Sequence, residues 1–200
     1  MCCFFSSITF ANENKDNLFV FVGQKISVTE AANQDSCLEK VGTRCVKITL
    51  DGKLDAKYRV IESVHGVSPG PVINFYLYNH YGRPDFANYK YALIFVSKNE
   101  ENFVSEKYRN YEVYRTRDGK WATCGENVVS SAKLLEIQFQ PAIYHDISHY
   151  SDQYVEELFP ASIWRRDGDK IFCRQGVYVD ELYRIEIEEY LKLRSSSDIK

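Results

Sequence analysis

The chain has 200 residues, with 25 Lys plus Arg against 28 Asp plus Glu and a formal charge of −3. Hydrophobic residues make up 44% and charged residues 26%, an ordinary globular composition that excludes a disordered chain, a fibre and a coiled coil. The near-neutral charge removes the electrostatic basis for general nucleic-acid binding, and no apolar run reaches the roughly 18 residues of a membrane-spanning helix.

The first residues read MCCFFSSITFANENKDN. Positions 2–11 are apolar or small, and Thr9-Phe10-Ala11 is a loose small-residue cleavage signal. Residues 1–11 therefore read as the remnant of a signal peptide, and the chain is expected to be exported, periplasmic or secreted. The cysteines agree. Beyond Cys2 and Cys3, four remain: Cys37, Cys45, Cys124 and Cys173. An even set suits an oxidised exported domain. Three pairings are open, among them Cys37 with Cys45 and Cys124 with Cys173. No Cys-x-x-Cys spacing between residues 37 and 173 points to zinc.

Residues 18–29 are rich in β-branched and aromatic types and predict a long first strand, with Gly23 marking a bulge or bend. Residues 45–50 alternate, and Asp51-Gly52 is a strong turn signal before a strand at 57–64. HGVSPGP (65–71) reads as a loop, and Pro71 places the next strand at 72–78. NHYGRPDFAN (79–88) is a polar, aromatic loop. Residues 89–97 are the most apolar run and predict a central strand buried on both faces. The charged stretch 98–107 reads as a short helix or loop. Hairpins are expected around Asp118-Gly119 and Asp167-Gly168, with a strand at 134–139 between them. Ser151 is a candidate N-cap for a helix over 152–159, which Pro160 ends. From Val179 the apolar spacing becomes helical, with acids first and bases last, leaving 195–200 as a flexible tail.

The reading is mainly β: one globular domain over 12–194. A small OB-like barrel fills about 18–140, and a smaller α+β extension over about 141–194 ends in a helix.

Three segments, FVGQKISV (21–28), YRVIESVHG (58–66) and YALIFV (91–96) followed by Cys124, resemble netrin-like domains, the fold of the tissue inhibitors of metalloproteinases. The resemblance spans about residues 18–124. It implies an OB-type barrel, export and a habit of binding proteins. That family's inhibitors use an N-terminal Cys-x-Cys to reach a protease zinc. Cys2-Cys3 has a different spacing, so inhibition is not carried over.

For chemistry, the tyrosine-rich segment 75–91 is the foremost candidate. Tyrosine supplies large contact area at low entropy cost, and loops carry recognition. Tyr78, His80, Tyr81, Arg83 and Phe86 are the expected contacts for an unidentified protein or surface polymer. A carbohydrate-binding module is an alternative. Another is a small hydrolase or metal-dependent enzyme using His80, with Asp85 nearby, or His145 and His149, four residues apart in HDISH. No Gly-x-Ser-x-Gly elbow and no phosphate-binding glycine loop occurs, so no catalytic residue and no cofactor is assigned.

Overall fold

The structure is a computed structural model and describes residues 17–31, 39–41, 44–46, 52–80, 83–125, 128 and 132–197. The fold is mainly β, built on a closed five-stranded barrel. The barrel strands are β1 (Leu18–Glu30), β4 (Gly52–His65), β5 (Val72–Asn79), β6 (Tyr91–Asn99) and β7 (Asn102–Glu112). A two-stranded ribbon, β2 (Glu39–Val41) with β3 (Arg44–Val46), lies between β1 and β4 in the chain. Around the barrel the order is β1-β4-β5-β7-β6, and β6 returns to β1. All neighbours are antiparallel except β5 and β7, which are parallel and joined in register at one pair, Tyr76 with Val104.

The long apolar runs have a direct cause. Leu18 to Val22 and Ala92 to Val96 are buried along their whole length. Phe19, Phe21, Ile94 and Val96 face the barrel interior with Leu54, Tyr58, Ile73 and Phe75. The intervening Leu18, Val20, Val22, Leu93 and Phe95 face outward, against Trp121, Val177 and Leu182 of the C-terminal half. A strand between two cores has no polar face to show. Elsewhere the barrel has one dry face: in β5, Ile73, Phe75 and Leu77 are buried while Asn74 and Tyr78 are exposed.

Gly23 is where β1 bends. The β1–β4 register shifts between Val22 and Gly23. A Cβ there would stand 2.7 Å from the Phe21 ring and 3.0 Å from the Tyr58 ring, so the close approach requires glycine.

The barrel ends at Glu112 rather than near residue 140. Instead, β8 (Tyr114–Arg115), β9 (Trp121–Cys124), β10 (Leu135–Glu136) and β14 (Gln175–Tyr178) form a separate sheet in the order β10-β14-β9-β8. The expected hairpin at Asp118-Gly119 is present, but its second strand also pairs with β14, some fifty residues downstream, which local sequence cannot announce. The strand expected over 134–139 shortens to β10 and a single bridge from Phe139 to Thr116. The stretch 98–107 is neither helix nor open loop. It is the end of β6, the two-residue turn 100–101 and the start of β7, with Asn99 opposite Asn102 and Glu100 at φ 53°. Charged residues sit there because the hairpin tip is solvated.

A third sheet holds β11 (Tyr144–Asp146), β13 (Lys170–Cys173) and β12 (Trp164–Asp167), the last two forming the expected hairpin. Helix α1 (Asp152–Leu158) starts where the Ser151 hydroxyl accepts the Tyr154 amide at 3.3 Å. Helix α2 (Val179–Ser197) runs into the stretch expected to be a loose tail. No described helix is long and apolar enough to cross a membrane.

Two devices join the layers. Cys124 and Cys173 form a disulfide, one of the expected pairings, inside the third core with Ile137, Ile147, Val155 and Trp164. Cys37 and the Cys45 side chain lie outside the described residues, and so does their pairing. Glu186 of α2, only 5% exposed, takes the Arg109 Nε at 2.9 Å and the Tyr111 hydroxyl, both from β7.

The crosslink closes a 49-residue separation, which corresponds to about 4 kcal/mol of loop-closure entropy. Cys124→Ser with Cys173→Ser is expected to lose about that much in urea unfolding, and an unchanged midpoint would refute it. A pH effect is also expected at the β8–β9 turn. The Thr116 hydroxyl, with help from Lys120 and Tyr178, holds the Asp118 carboxyl below its ordinary value. A lowered folded-state value means that this stabilisation is complete above the unfolded carboxylate pKa and is lost as pH falls through the folded one. Thr116→Val should move the Asp118 titration, followed by carboxyl NMR, upward.

Candidate functional site

The tyrosine-rich loop joins β5 to β6. Pro84, extended at φ −72° and ψ 154°, leads into a short 3-10 turn, Asp85–Asn88. The turn drives Phe86 and Ala87 inward to close one end of the barrel. Polar groups then fix its carbonyls. The Tyr58 hydroxyl donates to the Phe86 oxygen at 3.3 Å, inside the core. Lys25 Nζ and an Arg83 guanidinium nitrogen donate to the Ala87 oxygen at 2.8 and 3.3 Å. Burial pushes the Tyr58 phenol well above its usual value, with Arg83 acting in the opposite sense, so the group stays a protonated donor.

A cleft of about 430 Å³ opens between this loop and the end of the β5–β7 seam. Its size falls within the roughly 300–1,000 Å³ of small-ligand sites. Tyr78 and Asn79 come from β5, Arg83 and Asp85 from the loop, and Ser105 and Asn110 from β7, over a floor that includes Phe86. Two of these walls carry unmet polar atoms: Ser105 Oγ and Asn110 Oδ1 are buried and have no hydrogen-bond partner among the described residues. Each such atom costs about 1–3 kcal/mol, which a ligand bearing matching donors would recover. Both residues flank an irregularity in the β6–β7 ladder: Val96 pairs with Ser105 and Ile94 with Asn110, so the register shifts between them.

The expected contacts divide. Tyr78, 47% exposed, and Arg83 line the cleft. Phe86 reaches it only as floor, because it is 5% exposed and serves as the barrel's plug. His80 is exposed and is not among the residues lining the cleft. Tyr81 lies outside the described residues. Ser105 and Asn110 escaped the sequence reading. The signal available was the alternation in 102–112, which the charges at 98–107 obscured.

The histidine pair does not share a helix. His145 is in β11, its ring 5.3 Å from Phe159 and 5.1 Å from Trp164. The Asp146 carboxylate then accepts the Ser148 amide at 2.9 Å, an Asx turn that reverses the chain before His149. The Ser148 hydroxyl and amide hold the Asp146 carboxyl low, with His149 and Lys170 adding to this. Among the described residues, no three His, Cys, Asp or Glu side chains converge as a metal site.

Phe86→Ala should remove about 3 kcal/mol or more of stability by leaving a cavity at the barrel end. Thermal unfolding tests this, and a loss below about 1 kcal/mol would show that Phe86 is not the plug.

Compared with known proteins, the chain matches no family model, no curated protein and no solved structure.

Proposed function

We propose that the chain is an exported, non-catalytic binding domain that holds a protruding part of a protein or surface polymer in the seam cleft. The observation that carries this reading is the pair of unmet buried atoms, Ser105 Oγ and Asn110 Oδ1, facing Arg83 and Tyr78 across one cleft. Such a wall rewards a ligand that donates hydrogen bonds on one side and accepts them from a guanidinium on the other. Among the described residues no base bonds the Ser105 Oγ, which favours holding over bond breaking.

Two further points support the reading. The Cys124–Cys173 disulfide is the kind of link that persists in oxidising compartments. Counted along the barrel alone, the strand order is first, second, third, fifth, fourth, which supports an OB-type Greek-key barrel. The netrin-like resemblance is in keeping with that barrel and adds the expectation of a protein partner.

Site-directed photocrosslinking tests the proposal. A photoreactive residue in place of Tyr78 is expected to capture a component of the native cell surface, and Arg83→Ala should reduce the yield severalfold. The control position is Val67, 91% exposed in the loop at the other end of β5. Equal capture from positions 78 and 67, or capture unaffected by Arg83→Ala, would sink the assignment.

A further inference from the structure

The geometry points to a second site, a saccharide-binding groove on the outer face of β1, β4 and β5, centred on Asp55. This goes beyond the seam cleft and stands without it. The groove has a volume of about 330 Å³ and is separate from the cleft described above.

Its construction follows from register. Thr29 of β1 pairs with Asp55 of β4, and Asp55 pairs with Tyr76 of β5. Two residues along, Ser27 pairs with Lys57, and Lys57 with Asn74. The alternating residues Val28, Leu54, Ala56 and Phe75 point into the barrel core. The outward set is therefore two cross-strand rows, Thr29–Asp55–Tyr76 and Ser27–Lys57–Asn74. Neighbours stand about 5 Å apart across strands and about 7 Å apart along them. Asn102 closes one side.

At the centre, Asp55 Oδ1 is buried and accepts no hydrogen bond from the described residues. Around it are two hydroxyls, two amides and an aromatic wall. The Lys53 ammonium sits 3.5 Å from the centre of the Tyr76 ring. The charges narrow the ligand class. Lys53 and Lys57 lie two residues on either side of Asp55 in the strand, so a cationic ligand meets two ammonium groups. An anionic ligand meets the carboxylate. A neutral ligand rich in hydroxyls meets neither penalty. Each sugar hydroxyl both donates and accepts, so one can donate to Asp55 while its neighbour accepts from Asn74 or Asn102. An extended peptide would look for unpaired backbone at a sheet edge, whereas the groups here are side chains standing off a paired face.

The test is NMR titration of the full chain with cello-, malto-, xylo- and chitohexaose. At least one is expected to give saturable amide shifts at Thr29, Asp55, Asn74 and Tyr76 at millimolar concentration. Asp55→Asn should weaken that binding by about tenfold, the effect of losing one charge-assisted hydrogen bond. Asn74→Ala, at an exposed position that leaves the core untouched, should weaken it severalfold and serves if the Asp55 variant folds poorly. Arg83→Ala should leave it unchanged, which separates this groove from the cleft. No saturable shift with any of the four sugars would overturn the inference. So would shifts confined to the cleft, or unchanged affinity in both groove variants.

Discussion

Barrel closure rests on a parallel contact between β5 and β7 that is held in register at one residue pair, Tyr76 with Val104. Every other neighbouring pair in the barrel is an antiparallel ladder several residues long. Parallel strands cannot be joined by a tight hairpin, and here the chain passes through the 79–90 loop and the whole of β6 before β7 can close the circle. So short a seam leaves the barrel end open on one side. The Phe86 plug fills the interior there, and the β6–β7 register shifts beside the cleft. The groove at Asp55 reaches the same seam through Tyr76 and Asn102. Cleft and groove thus both border the shortest ladder of the barrel.

The opposite wall, β1 against β6, is the rigid side. It is buried on both faces and shared by two cores, so the barrel and the C-terminal half cannot separate without exposing Val20, Val22, Leu93 and Phe95 together. Glu186 adds a directional lock. A carboxylate this deep costs several kcal/mol to desolvate, and Arg109 with Tyr111 offsets that cost only when α2 is seated in one position on β7. Removing Arg109 would leave the Glu186 charge buried with no opposite charge beside it. Arg109 lies within the β6–β7 register shift, next to Asn110 of the cleft wall, so the contact to α2 and the cleft share one irregular stretch of β7.

Much of the architecture was legible because local chemistry decided it. The apolar runs at 18–22 and 92–96, Pro71 before β5, the Asp-Gly turns and the Ser151 cap each carry their reason within a few residues. The barrel's extent was not, because β9 pairs with β14 from far along the chain and shows no local mark of doing so. Charge misled at 98–107, where solvated hairpin residues resemble a helix or loop. Around the cleft, Tyr78 was legible as an aromatic at the end of a strand and Arg83 as a cation of the loop that follows. Phe86 was not, since nothing in NHYGRPDFAN says which aromatic turns inward. Ser105, Asn110 and Asp55 owe their importance to register and burial alone, and these exist only after the strands are aligned.

The link from Cys124 to Cys173 also bears on how the molecule tolerates damage. Between those two residues lie α1 and the β12–β13 turn, exposed kinds of segment at which proteases cut. A single cut anywhere in that span leaves both fragments covalently joined, and α2 stays clamped to β7 through Glu186. A nicked molecule would keep its barrel assembled, and electrophoresis would reveal the break only after a thiol reductant had been added.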